Sequence, residues 1–401
     1  MAKQTASTVP QIRFKGFEGA WEDEPIGEVL AEKKRPIVLK DHQRYELITV
    51  KRRNEGIVSR GHLFGRDILV KNYSQLQAGD FVISKRQVVH GATGMISPEL
   101  DGAIVSNEYL VAVNSSKLLT EFLTILSSLP AMRQKFFLSS YGVDIEKLFF
   151  DAEDWKKRNI TIPDVTEQTK IGGYFRELDS LIGLHQRKHD KLVTLKKAML
   201  QKMFPQPGAT TPEIRFKGFS GDWVEKRLNE AGEFNPKAEL PEIFEYVDLE
   251  SVVGTEMVNH RTETRKTAPS RAQRLARQGD LFFQTVRPYQ KNNHLFTLPF
   301  TNYVFSTGYA QIRPFNDGSF LLGLMQRDQF VKVVLDHCTG TSYPAINANV
   351  LAEILVMIPT PEEQQKIGAY FRTLDELISK HATQLQKLQQ IKSACLEKMF
   401  V

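Results

Sequence analysis

The sequence predicts an α+β protein that is built twice, from two mixed bodies and two long helices. Two short motifs and one long segment recur along the chain, each about 200 residues after its first occurrence. The repeated stretches are 10–21 and 212–223 (PQIRFKGFEGAW and PEIRFKGFSGDW), 79–86 and 279–288, and 162–204 and 358–400. The last pair shares 23 identities over 43 positions without a gap. With 401 residues the chain also exceeds the usual size of one domain.

The long repeated segments predict amphipathic helices. They open with Pro or acidic residues, at Thr166-Glu167 and at Pro361-Glu362, as helix N-termini prefer. Their apolar residues recur at heptad spacing, which is typical of a helix that packs against a partner helix. Pro205 and Pro207 then end the first helix. The heptad residues are Ile171, Tyr174, Leu178, Leu181, Leu192, Leu195 and Met199 in the first segment, and Ile367, Tyr370, Leu374, Leu377, Leu388, Ile391 and Cys395 in the second.

The two bodies that precede these helices combine strand and helix patterns. Apolar runs bounded by Gly, Asn and Asp predict strands, whereas Ser116–Ser128 and Asp317–His337 carry helical spacing. Each body is therefore expected to hold a twisted antiparallel or mixed sheet with helices. The predicted strands are Tyr45–Val50, Asp67–Val70, Asp80–Ser84, Ala103–Val105, Leu281–Val286, Tyr303–Ser306 and Ala310–Ile312. The predicted domains are 1–161 (first body), 162–204 (central helix), 205–211 (linker), 212–357 (second body) and 358–401 (C-terminal helix).

Composition indicates an ordinary globular protein. Hydrophobic residues make up 41% and charged residues 25% of the chain, and the formal net charge is +6. Two cysteines fit a reducing compartment rather than a disulfide framework. The apolar runs are shorter than the ~20 residues that span a bilayer. We therefore expect a cytoplasmic protein without membrane contact.

The positive charge is concentrated in one stretch of each body. Residues 33–66 hold ten Lys and Arg against three acids, and 261–277 hold six against one. Such local basic surfaces are typical of proteins that follow a phosphate backbone, although a single charged run is more often a solvated face. Polar residues that follow each Gly-Asp motif could read base edges. The candidate DNA-binding residues are Arg35, Arg44, Lys51, Arg52, Arg53, Arg60, Arg66, Lys85, Arg86 and His90 in the first body, and Arg265, Arg271, Arg274, Gln284, Arg287, Tyr289, Lys291 and Asn292 in the second.

The sequence offers no recognisable catalytic or metal centre. We find no glycine-rich nucleotide loop, and Arg287-Pro288-Tyr289 is not a methyltransferase motif of the Asn/Asp-Pro-Pro-Tyr type. His185 and His189 have a spacing that can chelate zinc, but the second copy keeps only His381 and has Leu385 at the other position. A polar interruption of the helix seam is the favoured interpretation. The Ile-Arg-Phe-Lys-Gly-Phe motif is likewise interpreted as framework, because both halves share it.

The whole pattern resembles the specificity subunits of type I restriction-modification systems. The resemblance rests on two variable bodies, each introduced by Phe-x-Gly-x-Trp and closed by Ile-Pro…Glu-Gln-x-Lys-Ile-Gly-x-Tyr-Phe-x-x-Leu-Asp. It implies two target recognition domains, separated by two long antiparallel coiled-coil helices in a pseudo-twofold arrangement. It also implies recognition of a bipartite, asymmetric site on double-stranded DNA.

The same resemblance implies that the chain is not itself an enzyme. The family recruits two methylating subunits and two restriction or translocase subunits, and S-adenosylmethionine, ATP and Mg²⁺ are expected on those partners. Tyr174, Phe175, Tyr370 and Phe371 are the candidate docking residues. Two alternatives remain open: a coiled-coil scaffold that binds proteins only, and a DNA-modifying enzyme whose site is not recognised.

Overall fold

The protein, seen in a computed structural model that describes residues 8–69, 72–340 and 342–401, divides into two compact units. Unit one comprises Met1–Leu184 and Leu385–Val401, and unit two comprises His185–Gln384. Both long helices cross the boundary, so each unit contains a segment of each helix. Each unit therefore joins parts of several of the five domains predicted from the sequence. The bounds of those domains stay a prediction.

Unit one combines short strands with helices. Its strands are β1 (Glu22–Pro25), β2 (Ala31–Glu32), β3 (Pro36–Ile37), β4 (Arg44–Val50), β5 (Ile57–Phe64), β6 (Tyr73–Gln75), β7 (Phe81–Ser84), β8 (Thr93–Met95), β9 (Ile104–Ser106), β10 (Tyr109–Val113), β11 (Ser140–Tyr141), β12 (Phe149–Phe150) and β13 (Asn159–Ile162). Its helices are α1 (Ile26–Val29), α2 (Thr120–Ser128), α3 (Pro130–Leu138), α4 (Ala152–Lys156) and the first part of α5 (Val165–Lys202).

The strands of unit one form two larger sheets and two pairs. One sheet has the order β2-β10-β7-β8 and the other β3-β6-β9-β4-β5, while β1 pairs with β13 and β11 with β12. Strands β4 and β9 run parallel, whereas the other neighbours are antiparallel. The body is therefore mixed, as predicted.

Unit two repeats this arrangement of sheets with small differences. Its strands are β14 (Val224–Arg227), β15 (Gly232–Phe234), β16 (Ile243–Val247), β17 (Val252–Val253), β18 (Glu256–Met257), β19 (Arg261–Thr264), β20 (Ala272–Leu275), β21 (Leu281–Gln284), β22 (His294–Leu295), β23 (Tyr303–Ser306), β24 (Tyr309–Pro314) and β25 (Leu355–Ile358). Its helices are α6 (Gly318–Met325), α7 (Asp328–Asp336), α8 (Ala348–Ala352) and most of α9 (Pro361–Lys398). The sheets have the orders β15-β24-β21-β22 and β19-β16-β23-β20, and β16 runs parallel to β23.

The strand after each Gly-Asp motif begins with three consecutive apolar residues because it lies between two cores. Phe81 and Ile83 of β7 pack into the core that contains Trp21 and α2, whereas Val82 packs into a second core. In β21, Leu281 and Phe283 face one core and Phe282 faces another. Side chains alternate between the faces of a strand, so a strand covered on both faces reads as a continuous apolar run.

Most of the sequence-predicted strands are present, and one is wrong. The predicted runs other than Asp67–Val70 overlap β4, β7, β9, β21, β23 and β24. In the wrong one, Gly65–Asp67 forms a 3₁₀ turn, Ile68 and Leu69 lie outside any strand, and Val70 lies outside the described residues. The predicted helical stretch Asp317–His337 forms two helices, α6 and α7.

Segments of α5 and α9 run antiparallel within each unit. In unit one, the Tyr174 hydroxyl lies 3.6 Å from the Cys395 sulfur and Lys392 donates to Asp179 at 2.5 Å, so residue numbers rise along one helix as they fall along the other. In unit two, His185 lies beside His381 and Lys196 donates to Asp375, so the numbers again rise along one helix as they fall along the other. These pairs contain residues of the heptad pattern or their neighbours.

The shared Ile-Arg-Phe-Lys-Gly-Phe motif fixes the start of each long helix to its body. Arg13 donates two hydrogen bonds of 2.7 Å to the buried carboxylate of Glu167 in the first turn of α5. Arg215 makes the same two bonds, also of 2.7 Å, to Glu363 in the first turn of α9. The motif therefore has internal bonding partners in both units, as expected of framework.

Candidate nucleic-acid interface

The aspartate of each Gly-Asp motif organises its turn by internal ion pairing. Asp80 is buried and accepts from the guanidinium of Arg35 at 2.6 and 3.0 Å and from the backbone of Gln77. Asp280 is equally buried and accepts from Arg313 and from the backbone of Arg277. DNA binding by Arg35 stays a prediction, which the engagement of its guanidinium by Asp80 disfavours.

Other basic residues of unit one have free charges. Among the described residues, Arg44, Lys51, Arg53 and Arg60 are exposed and make no ion pair. The Arg44 guanidinium lies 5.7 Å from the centre of the Phe64 ring. Lys and Arg side chains without an internal acid keep their full charge for a phosphate backbone. Arg66 lies 5.0 Å from the same ring and only 3.9 Å from Asp67, so its charge is partly balanced.

The β4–β5 connection brings the two predicted stretches of unit one together. The backbone of Asn54 donates to the Gly91 carbonyl at 2.8 Å, and its side chain donates to Thr93 at 3.0 Å. Arg52 donates to Gln87 at 2.7 Å and to Glu146 at 2.8 Å.

His90 lies 3.6 Å from the same Glu146 carboxylate that binds Arg52. The loop after β7 therefore borders the basic loop after β4. Two further candidates in this loop have internal partners, because Lys85 donates to the Asn107 carbonyl at 2.9 Å and Arg86 donates to Glu108 at 2.7 Å.

The basic stretch of unit two is more strongly paired than its sequence suggests. Arg261 binds Asp248 and Glu263, and Arg265 donates to the Leu240 carbonyl and lies 3.7 Å from Glu239. Arg271, by contrast, is exposed and has no ion pair among the residues that the structure describes.

Arg274 has a different environment from the exposed arginines. Burial lowers the pKa of its guanidinium, and its Nε has no hydrogen-bond partner within the described chain. The stretch therefore supplies fewer free cations than its formal charge implies.

The loop 286–293, which follows β21, carries the remaining candidates. Tyr289 is exposed, and Arg287 is half-exposed. Lys291 donates to Asp328 at 2.5 Å and to the Gln326 carbonyl, and Asn292 accepts from the Gly254 backbone at 2.9 Å. These internal bonds fix the shape of the loop.

Gln284 does not belong to an exposed reading surface. Only 2% of the residue is exposed, and its side chain donates to Gln290 at 2.8 Å inside the body. Contact between Gln284 and DNA therefore stays a prediction, which the burial of the side chain disfavours. Its position at the end of a strand covered on both faces explains the burial.

Strained backbone occurs in the loop after β4 of unit one and in the loop after β21 of unit two. Five non-glycine residues in the described chain have positive φ, and four of them, Arg53, Asn54, Arg287 and Lys291, lie in the predicted reading loops. A left-handed conformation costs a residue with a side chain roughly 1–2 kcal/mol. Such strain is concentrated at functional sites. Backbone strain therefore marks the same loops as the charge pattern, and the sequence alone gave no sign of it.

Two of the four candidate docking residues are buried. Phe175 is 2% and Phe371 is 3% exposed, and each lies in the core of its unit. Docking through these two side chains stays a prediction, which their burial in the cores disfavours. Tyr174 and Tyr370 are half-buried at the edges of the cores, edge-on to Phe14 and Phe216. In unit one, Phe14, Tyr174 and Lys170 line an open groove of about 690 Å³.

The histidines of the long helices contact each other or a neighbouring acid. His185 and His381 lie with their Nδ1 atoms 2.9 Å apart, and His189 contacts Asp190. Among the described residues, no group of three or more potential metal ligands is found. In the same part of the chain no helix is long and apolar enough to cross a bilayer.

The region around the loop after β21 matches a known family. A model of the type I restriction modification DNA specificity domain matches residues 271–390. This part of the chain is similar to the type I restriction modification DNA specificity domain. The match begins at Arg271, includes the strained loop 286–293 and ends within α9. The family resemblance expected from the sequence is confirmed.

Individual relatives agree with the family match. The chain is 25% identical over 162 residues to the type I restriction enzyme HindI specificity subunit of Haemophilus influenzae. That match covers 39% of this chain and 35% of the relative, so it spans about a third of the relative's length.

Solved structures resemble the chain over nearly its full length. The S subunit of a type I restriction-modification system from M. genitalium has a TM-score of 0.56 and 14% identity, and the match covers 98% of this chain and 99% of that one. This likeness shows the mixed α and β fold. The HsdS subunit from Thermoanaerobacter tengcongensis matches with a TM-score of 0.44 and 18% identity, over 95% of this chain and 96% of that one.

Proposed function

We propose that this chain is the DNA-recognition subunit of a type I restriction-modification complex. The observation that carries the proposal is the coincidence of unpaired cations with strained backbone in both units: Arg53 lies in the strained loop after β4 of unit one, and Arg287 in the strained loop after β21 of unit two. Unpaired cations attract a polyanion, and a loop held in a strained conformation presents its side chains in one fixed geometry. The family match covers this loop in unit two.

The two surfaces differ in sequence, which favours a bipartite and asymmetric site. Arg53, Asn54 and Arg60 have no identical counterparts in the loops of unit two, whereas the Arg–Glu pairs of the framework are the same in both units. A twofold reader with identical halves reads a palindrome. Two different halves on a shared helical framework would read two different half-sites. The antiparallel segments of α5 and α9 would set the spacing between those half-sites.

Catalysis is assigned to partners in this proposal. Two methylating subunits would modify adenine with S-adenosylmethionine, and two restriction or translocase subunits would use ATP and Mg²⁺. The exposed face around Tyr174 and Tyr370, rather than the buried Phe175 and Phe371, is the candidate docking surface. The groove of about 690 Å³ beside Phe14 supports this choice in unit one.

A binding experiment separates this proposal from its two alternatives. The full chain, alone and with its methylating subunit, is titrated into random-sequence duplex DNA between 50 and 200 mM salt. We expect affinity to fall steeply with salt, because each neutralised phosphate contributes a slope of about −0.9. No affinity for DNA, together with salt-insensitive protein binding, would support the scaffold. Methylation or cleavage of DNA by the chain alone would support an unrecognised enzyme.

A further inference from the structure

In unit two, one arginine of the strained loop is stacked on an exposed aromatic ring. The guanidinium carbon of Arg287 lies 4.3 Å from the centre of the Tyr343 ring. Tyr343 is 63% exposed and belongs to the loop that precedes α8. A stacked guanidinium keeps its planar fork of N–H donors free at the edge of the stack.

The backbone on both sides of this stack is fixed. The Arg287 amide donates to the Pro344 carbonyl at 2.8 Å, and the preceding residue, Val286, forms an antiparallel bridge with Ala345. Arg287 itself has φ of 55°, and Pro288 follows it at the start of a 3₁₀ turn. The stack is therefore preorganised, and little conformational entropy remains to be lost when the guanidinium binds a ligand.

Unit one contains a related stack whose charge is already balanced. Arg86 follows β7 as Arg287 follows β21, and its guanidinium lies 5.6 Å from the centre of the Phe149 ring. Arg86, however, donates to Glu108 at 2.7 Å. Among the described residues, Arg287 makes no ion pair. The unit-two arginine therefore presents an unused bidentate donor.

We infer that Arg287 reads a guanine of the half-site bound by unit two, through bidentate bonds to O6 and N7 in the major groove, and that Tyr343 is its positioning residue. The inference rests on the proposed function of the chain. Guanine is the base whose major-groove edge offers two adjacent acceptors, which match the guanidinium fork. Arginine also binds phosphate through two N–H donors, but a phosphate contact carries no sequence information, so selection of a DNA sequence distinguishes the two.

Selection from a pool of random duplexes tests this inference. The full chain, with its methylating subunit, is used to enrich bound duplexes, and the enriched sequences are compared between variants. Arg287→Lys keeps the positive charge but removes the planar guanidinium and its pair of parallel N–H donors. We expect it to lose preference at one guanine by about 5- to 150-fold, which corresponds to the 1–3 kcal/mol of a bidentate pair. The other positions of the site should remain unchanged.

The ring is tested by a matched pair of variants. Tyr343→Phe retains the stack and is expected to keep the guanine preference, whereas Tyr343→Ala is expected to weaken it. Arg271→Ala serves as the control, because an exposed arginine outside the loop should weaken binding to all sequences alike. Thermal unfolding of each variant verifies that unit two is folded.

Two results are decisive against the inference or its premise. If the wild-type chain enriches a defined sequence and Arg287→Lys enriches the same one, Arg287 is not a base-reading residue. The same conclusion follows if preference changes at every position equally. If the wild-type complex enriches no sequence at all, the chain is not a DNA-recognition subunit, and the inference about Arg287 falls with the proposed function.

Discussion

Replacement of Arg215 by Met should destabilise unit two through the carboxylate that it leaves behind. Glu363 has only 1% of its side chain exposed, and Arg215 has 17% exposed. The substitution removes both 2.7 Å bonds to Glu363 and the bonds to the carbonyls of Gly221 and Ser220. Loss of one partner from a buried ion pair costs about 3–5 kcal/mol. Because Arg215 is slightly exposed, we expect about 3 kcal/mol, toward the lower end.

The assay is urea unfolding of the full chain, followed by fluorescence. Trp223 lies in unit two, whereas Trp21 and Trp155 lie in unit one. A background with Phe at positions 21 and 155 therefore reports unit two alone, and the same background is used for every variant. Lys217→Met is the matched control, because Lys217 is an exposed residue of the same motif and should change stability by less than about 0.5 kcal/mol.

A double variant distinguishes the cost of leaving the buried Glu363 charge without a partner from the cost of losing the hydrogen bonds of Arg215. In Arg215→Met with Glu363→Gln no uncompensated charge remains, so we expect it to be more stable than Arg215→Met alone. The reasoning is refuted if Arg215→Met costs less than about 1 kcal/mol, or if the two losses simply add.

Three further predictions follow from the unpaired, buried and titrating groups. Arg60→Ala should reduce the salt slope of duplex binding by about 1, because it removes one phosphate contact, and an unchanged slope would exclude such a contact. Gln284→Ala should lower the thermal unfolding temperature without altering the enriched DNA sequence, and an altered sequence would show that Gln284 does reach DNA. Burial, together with the nearby charge of His185, lowers the pKa of His381. The unfolded chain then binds more protons, so stability should fall as the pH drops below about 6.5. This is measured by hydrogen exchange of α9 at pH 7 and pH 5, and an equal loss in His381→Leu would contradict it.

The sequence predicted what depends on periodicity and repetition. The helices α5 and α9, the apolar strands after Gly-Asp and the framework role of the Arg13 motif are all carried by local patterns or by the comparison of two copies. The strand predicted at Asp67–Val70 failed because its apolar run is too short to be distinguished from a turn.

The sequence could not predict which basic residues of the candidate site are free, because tertiary contacts decide which of them pair with an acid. Arg35 and Arg261 carry the same formal charge as Arg60, yet their acids, Asp80 and Asp248, lie 45 and 13 residues away along the chain. The burial of Phe175 could have been anticipated, since aromatic residues beside a heptad position often complete the inward face. The stack of Arg287 on Tyr343 joins residues 56 positions apart, and no local signal marks it.

The central claim is that each body reads its own half of a bipartite DNA site. It is tested most directly by expressing the chain with its methylating subunit and mapping methylated adenines across the host genome. We expect a two-part motif with a spacer of constant length. Exchange of residues 1–160 for those of another specificity subunit should then change one half of that motif and leave the other half and the spacer unchanged. A single contiguous motif, or a change in both halves after the exchange, would show that the two bodies do not each read one half of the site.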